Sequence, residues 1–170
     1  PIFEAAPWGW PAVALVGIGS VLFGALAALG QNDIKRVLAF STMSQVGYMM
    51  LGAGVGAYSA ALFHFATHAF FKALLFLGAG VVIHRFGGEQ DIRKMGGLGK
   101  SHPFAYWTFL IGTLALVGLP PLAGFYSKDA IVVGALMAGR PWLWALAVVG
   151  AGLTAFYMMR LFALVFTGDS

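Results

Sequence analysis

The sequence predicts an all-α membrane protein of five transmembrane helices, the fourth of them discontinuous. Three observations carry this. Of 170 residues, 60% are hydrophobic and only 9% are charged, ten Lys or Arg and six Asp or Glu, where a soluble domain carries roughly 25% charge. The charges bound long uncharged intervals, from Glu4 to Asp33, Arg36 to Lys72, Lys100 to Lys128 and Arg140 to Arg160. Sustained apolar/polar alternation is absent, which argues against barrel strands, and lipid admits only helices or closed barrels. The same composition excludes intrinsic disorder. The few scattered basic residues do not make a nucleic-acid footprint. With no cysteine there is no disulfide framework, thiolate metal site or iron–sulfur site.

A helix needs about 20 apolar residues to cross the hydrocarbon. The spans fall at about 9–30, 36–54, 58–84, 104–137 and 142–166, in one transmembrane domain covering 1–170. Asn32 or Asp33 caps the second helix, and Lys35 and Arg36 anchor it at the interface. Gly52, Gly54 and Gly56 separate the second helix from the third. The fourth is interrupted by Gly118-Leu119-Pro120-Pro121-Leu122-Ala123-Gly124. Proline cannot donate the helical hydrogen bond, and glycine loosens the backbone. Two half-helices are therefore expected, with a break that protein or a water-filled cavity must surround. The chain begins at Pro1 and ends just after a helix at Thr167-Gly168-Asp169-Ser170, which reads as a piece of a longer protein.

The loops set the orientation. Lys35 and Arg36 in one, and Arg85, Arg93, Lys94 and Lys100 in another, lie on the same side of the membrane, against Arg140 in the short loops opposite. The positive-inside rule makes the basic side cytoplasmic. The first helix then starts outside and the last ends inside.

The third helix holds the candidate chemistry. His64, His68 and Lys72, spaced i, i+4, i+8, share one helical face. Lys72 is midway along the span and too far from either end to snorkel easily. An ionisable residue at that depth is a functional candidate by default. Desolvation favours a neutral amine, and imidazole titrates near neutral pH unaided, so the three residues read as a proton relay. The competing reading is a structural lysine paired with a carboxylate of another chain, beside core-packed neutral histidines. The relay is favoured because this chain offers no intramembrane acid as partner. Lys128 follows the helix break in Gly124-Phe125-Tyr126-Ser127-Lys128-Asp129, in the half-helix on the outer side. Broken helices expose backbone groups to ions near the bilayer midplane. The alternative is local neutralisation of Lys128 by Asp129.

Supporting polar groups lie on other helices: Ser41, Gln45 and Tyr48 on one face of the second, Thr67 beside His68, and Thr154, Tyr157 and Arg160 on the fifth. Ser41, Gln45, Tyr48, Thr67, Asp129, Thr154 and Tyr157 could hold waters between the ionisable groups, or make ordinary interhelical hydrogen bonds. Gly96-Gly97-Leu98-Gly99-Lys100-Ser101 ends like a phosphate-binding loop, but position 94 is Lys94 instead of the required glycine. His64 and His68 could ligate a metal in a membrane metalloenzyme. That rival reading lacks further ligands, since His84 and His102 stand at or beyond the cytoplasmic end, and no metal site is expected.

Thr67-His68-Ala69-Phe70-Phe71-Lys72-Ala73-Leu74-Leu75-Phe76-Leu77 and Gln31-Asn32-Asp33-Ile34-Lys35-Arg36-Val37-Leu38-Ala39-Phe40-Ser41 resemble a known family. It is that of the antiporter-like proton-channel subunits of NADH:quinone oxidoreductase (respiratory complex I) and of multi-subunit Mrp-type sodium/proton antiporters. Glu89-Gln90-Asp91-Ile92-Arg93-Lys94-Met95-Gly96-Gly97-Leu98 and the stretch Gly124 to Asp129 favour the distal, chain L type of the oxidoreductase (mitochondrial subunit 5). The resemblance implies two inverted five-helix repeats with a discontinuous fourth helix in each, of which this chain resembles the second. It implies that Lys72 and Lys128 sit on a proton path, linked through His64 and His68 by water. It also implies partner membrane-arm subunits in a bacterial inner membrane or, alternatively, a mitochondrial one. No dinucleotide fingerprint is present, so no cofactor is expected on this chain. NADH, FMN, iron–sulfur clusters and quinone would belong to partner subunits, and nucleic acid is not a partner.

Overall fold

A computed structural model describes residues 8–167. Glu4, which bounds the first uncharged interval, lies outside these residues, as do Gly168, Asp169 and Ser170. The described chain is helical almost throughout: α1 Gly9–Gly30, α2 Ile34–Gly54, α3 Tyr58–Arg85, the short α4 Leu98–Ser101, α5 Pro103–Val117, α6 Ala123–Met137 and α7 Pro141–Phe162. Ile92–Lys94 form a 3-10 turn, and α7 runs on as a wider π turn over Ala163–Thr167. By length and composition α1, α3 and α7 with its extension can each cross a membrane. The second span falls short of that apolarity because α2 carries Ser41, Ser44 and Gln45, all fully buried. The fourth is shared between α5 and α6, of 15 residues each.

The helix ends follow local chemistry. Asp33 caps α2, its carboxylate accepting from the amides of Lys35 and Arg36 at 2.8 and 3.1 Å. Prolines open α5 and α7 at their first positions, where the missing N–H would be unpaired anyway. Gly118 ends α5 with φ +90°, a left-handed backbone that suits glycine.

The loops after α1 and α3 meet at one end of the bundle. The Ile34 amide donates to the Gln90 carbonyl at 3.0 Å and the Ile92 amide to the Asn32 carbonyl at 2.8 Å. The basic loops thus share one end, as the charge pattern predicts. There Arg93 holds the half-buried Asp91 carboxyl down to about 2 by hydrogen bonds from its side chain and amide. Arg160, near the end of α7, donates to the carbonyls of Leu29 and Gln31 at 3.4 and 3.0 Å and to Asn32 Oδ1 at 2.7 Å. It therefore places its positive charge on the last carbonyls of α1, the negative end of that helix.

The interior has three levels. One apolar cluster lies towards the basic-loop end and includes Leu38, Leu75, Phe109, Leu116 and Leu161. A second includes Val21, Tyr48, Leu51, Ile131 and Leu143. On α2 the buried Ser41, Ser44 and Gln45 fall between Leu38 of the first and Tyr48 of the second; on α7 Thr154 falls between Leu143 and Leu161. The outer surface is apolar: Leu62, Phe70 and Leu77 of α3 are all at least 70% exposed. That distribution, polar inside and apolar outside, suits hydrocarbon as solvent.

α1 and α2 pack at backbone contact. A Cβ on Gly47 would lie 2.6 Å from the Val21 nitrogen and 2.7 Å from the Gly17 carbonyl oxygen. Gly47→Ala in the full-length protein should cost about 1–3 kcal/mol by overpacking and lower its thermal midpoint. Gly19→Ala, whose Cβ meets nothing within 4 Å, should leave the midpoint unchanged or slightly raised. Arg160→Met removes three hydrogen bonds but keeps the apolar stem. It should cost about 2 kcal/mol, read as a lower thermal midpoint of the same protein; an unshifted midpoint would mean the α1–α2 turn is held by other contacts.

Candidate functional site

The middle level assembles most of the residues singled out by the sequence. Residues four apart on α3 face one way, and His64, His68 and Lys72 are accordingly all buried. Their face meets α2 and α6. The Lys72 ammonium nitrogen donates to the Leu38 carbonyl at 2.9 Å and to Ser41 Oγ, and stands 5.7 Å from the centre of the Phe76 ring. Leu38 takes this bond in addition to those from Ser41 Oγ and Thr42 Oγ1, each at 2.9 Å.

His64 is held at both ring nitrogens. Nε2 lies 3.0 Å from Gln45 Oε1 on α2, and Nδ1 lies 2.9 Å from Ser127 Oγ on α6. Ser127 in turn meets Thr67 Oγ1 at 3.0 Å. His68 comes next along the face, its ring centre 6.0 Å from that of His64 and packed edge-on against Phe71 at 5.4 Å. It lies within electrostatic reach of both Lys72 and Lys128. His68 Nε2, Gln45 Nε2 and the Tyr157 hydroxyl are buried with no protein hydrogen-bond partner.

Lys128 is seated by the helix break. The last carbonyls of a helix have no intrahelical donor, and Lys128 donates to two of them, Leu116 at 2.8 Å and Val117 at 3.3 Å. The ammonium thus sits at the negative end of α5 and 5.5 Å from the centre of the Tyr48 ring. Tyr48 is fixed by its own bond to the Ala147 carbonyl at 2.6 Å. The half-helices meet closely: a Cβ on Gly124 would fall 1.8 Å from the Ala115 carbonyl oxygen. The interruption occupies residues 118–122, with Pro120 and Pro121 at its centre and Gly118 and Gly124 at its margins. A cavity of about 170 Å³ opens beside it, lined by Val117, Gly118, Phe125, Lys128 and Asp129 among others.

Some expected members stand apart. Asp129 is exposed and borders that cavity, but among the described residues no carboxylate pairs with Lys128 or Lys72. Local neutralisation by Asp129 is therefore not the arrangement found. Thr154 bonds the Gly150 carbonyl of its own helix at 2.9 Å, while Tyr157 lies beside Ser41, Gln45 and Thr154 without meeting hydrogen-bond geometry. Arg160, grouped with these two by sequence, leaves for the α1–α2 turn. Both His64 nitrogens are engaged by neutral groups, and among the described residues no three His, Cys, Asp or Glu converge. Ser127 is the residue sequence reading passed over. Its signal was available: with Lys128 buried, residues 124, 127 and 131 of α6 share the inward face.

The model of the family described as NADH:quinone oxidoreductase/Mrp antiporter, transmembrane, matches residues 1–154. NAD(P)H-quinone oxidoreductase chain 5 of Picosynechococcus is 50% identical over 99% of this chain and 26% of its own length. NADH-ubiquinone oxidoreductase chain 5 of Schizophyllum commune is 51% identical over 98% of this chain and 25% of its own. NADH-quinone oxidoreductase subunit L of Mycobacterium tuberculosis is 49% identical over 99% and 28%. A chain in the structure of the Mrp complex of a Dietzia species superposes with TM-score 0.89 at 31% identity, covering 94% of this chain and 30% of that one. The chain thus spans about a quarter of the length of the relatives it matches. A match over most of the sequence, relatives at half identity and a shared fold make this chain a member of the NADH:quinone oxidoreductase/Mrp antiporter transmembrane family.

Proposed function

We propose that this chain carries a proton-translocation path of a membrane-arm subunit in an NADH:quinone oxidoreductase of the bacterial inner membrane, or of the mitochondrial one. The observation that carries the proposal is the buried polar level. Two lysines and two histidines lie inside an apolar bundle, with no carboxylate among the described residues pairing with either lysine. Neutral carbonyls and hydroxyls solvate an ammonium without fixing its charge as a carboxylate would. Such a lysine can release its proton and recover it. His64 and His68 bridge the interval between Lys72 on α3 and Lys128 on α6. The cavity beside Lys128 supplies an opening. Protons would run from Lys72 through His68 and His64 to Lys128 and outward.

The chain's own residues move protons and perform no redox chemistry. NADH, FMN, iron–sulfur clusters and quinone belong to partner subunits, whose redox energy reaches this path as electrostatic or conformational coupling. The likeness to a chain of an Mrp complex favours a second reading, a subunit of a sodium/proton antiporter built on the same path. Co-purification of NADH-oxidising subunits from native membranes separates the two. Sodium-dependent proton exchange that persists without NADH oxidation would favour the second.

Lys72→Ala and Lys128→Ala, each in the full-length subunit within its complex, should reduce protons pumped per NADH by at least half in proteoliposomes while quinone reduction continues. Undiminished pumping with both substitutions would overturn the proposal.

A further inference from the structure

Sequence offers Tyr48 as a group that holds water through its hydroxyl. The structure commits that hydroxyl elsewhere. A phenol has one O–H donor, and that of Tyr48 goes to the Ala147 carbonyl of α7 at 2.6 Å. The fit there is close, since a Cβ on Gly150 would fall 3.0 Å from the hydroxyl oxygen. With the ring anchored in this way, its face is what Lys128 meets, the ammonium nitrogen standing over it 5.5 Å from the centre. The groups around Lys128 act differently on its charge. The Leu116 and Val117 carbonyls accept from it. His64 and His68 of α3 lie within electrostatic reach, and an imidazolium at either would repel the ammonium. Asp129, next on α6, is exposed and makes no ion pair with it. Val148 and Ala151 of α7, at the same cavity, are apolar, and Tyr157 of α7 lies within electrostatic reach of Tyr48. Among the described residues, attraction at contact range therefore comes from two carbonyls and the Tyr48 ring. A cation over a ring gains most when both are out of water, and Tyr48 is 0% and Lys128 5% exposed. Lys72 has a lesser counterpart: Phe76 lies on its own helix and is 40% exposed.

We propose that Tyr48 is a positioning residue that serves Lys128 as a neutral counter-charge, its ring face favouring the ammonium over the amine. This rests on the proton path proposed above and deepens it at its outer end. A carboxylate would attract the ammonium more strongly, but it is itself a base that could take the proton. A ring face attracts a cation through its quadrupole and is no base at physiological pH. Lys128 can therefore hold a proton with no side chain pressed against it that would capture that proton. The bond to Ala147 has a part in this. It keeps the ring face towards the ammonium, where the ring edge, of opposite partial charge, would repel it.

Fluorine on the ring tests this, because it withdraws charge from the face with little change of shape, and a merely structural role would not sense it. In the full-length subunit within its complex, Tyr48→Phe keeps the face and should retain at least half of the wild-type protons pumped per NADH. Mono-, di- and trifluorophenylalanine at the same position should lower pumping stepwise, by about threefold at the third fluorine, with quinone reduction retained. The same proteins, labelled with ¹⁵N-lysine in lipid, read the charge directly. The Lys128 signal, assigned by its loss in Lys128→Gln, should show the ammonium-to-amine ratio at a given pH falling stepwise, by about tenfold over the series. Fluorotyrosines keep the bond to Ala147 and should give the same order, so the test does not depend on Tyr48→Phe assembling. A ratio that stays constant across the fluorinated rings would overturn the proposal. If Lys128→Ala pumps normally, the proton path is wrong, while the lysine spectrum still reads the ring. If Lys128→Ala fails to pump and the fluorinated rings all pump alike, only the part given to Tyr48 is wrong.

Discussion

The structure depends on one constraint: two lysines lie in an apolar bundle where, among the described residues, no carboxylate meets them. An ammonium in hydrocarbon is costly, and the bundle is arranged to supply oxygen atoms without supplying charge. For Lys128 this explains the helix break. An unbroken helix would spend the carbonyls of Leu116 and Val117 on its own next turn; ending α5 at Val117 releases them to the ammonium. For Lys72 the acceptors are the Leu38 carbonyl and the Ser41 hydroxyl of α2. The polar residues that make α2 less apolar than its neighbours are those facing this level. Lys72 and Lys128 are thereby both solvated by neutral oxygen atoms.

The packing around the polar level follows from that requirement. Apolar clusters above and below separate it from the membrane faces. Close approach of α1 to α2, enforced at Gly17 and Gly47, holds α2 so that Ser41, Gln45 and Tyr48 reach three different partners. Ser41 meets Lys72, Gln45 meets His64, and the Tyr48 ring lies near Lys128. One helix face thus touches each of the main ionisable groups except His68. Arg160, although charged and near the same helices, is spent on the α1–α2 turn. Its guanidinium keeps its proton at any physiological pH, which suits an anchor and would not suit a relay.

Much of this was legible in the sequence because hydrocarbon simplifies the problem. Charges cannot be scattered, so uncharged intervals mark spans, and the double proline with flanking glycines marks the break. The placing of His64, His68 and Lys72 on one face followed from helical periodicity alone. What the sequence could not show was which oxygen atoms serve the lysines. The principal acceptors are backbone carbonyls of Leu38, Leu116 and Val117, and no side-chain pattern marks a carbonyl. Helical spacing could place Ser127 on the inward face of α6, but its contact with His64 joins positions 63 residues apart, and no local pattern marks that pairing. Asp129, offered by sequence only as an alternative partner, stands apart from Lys128 because neighbours in a helix point about 100° apart.

The central claim is that Lys72 works by losing and regaining its proton, and does not merely lend the bundle a positive charge. Lys72→Arg in the full-length subunit within its complex tests this most directly, because guanidinium retains the charge and the donors but does not release its proton. Proton pumping per NADH should fall at least fivefold while the complex assembles and quinone reduction continues. Pumping at the wild-type ratio with arginine in place would contradict the account and leave Lys72 as a structural charge.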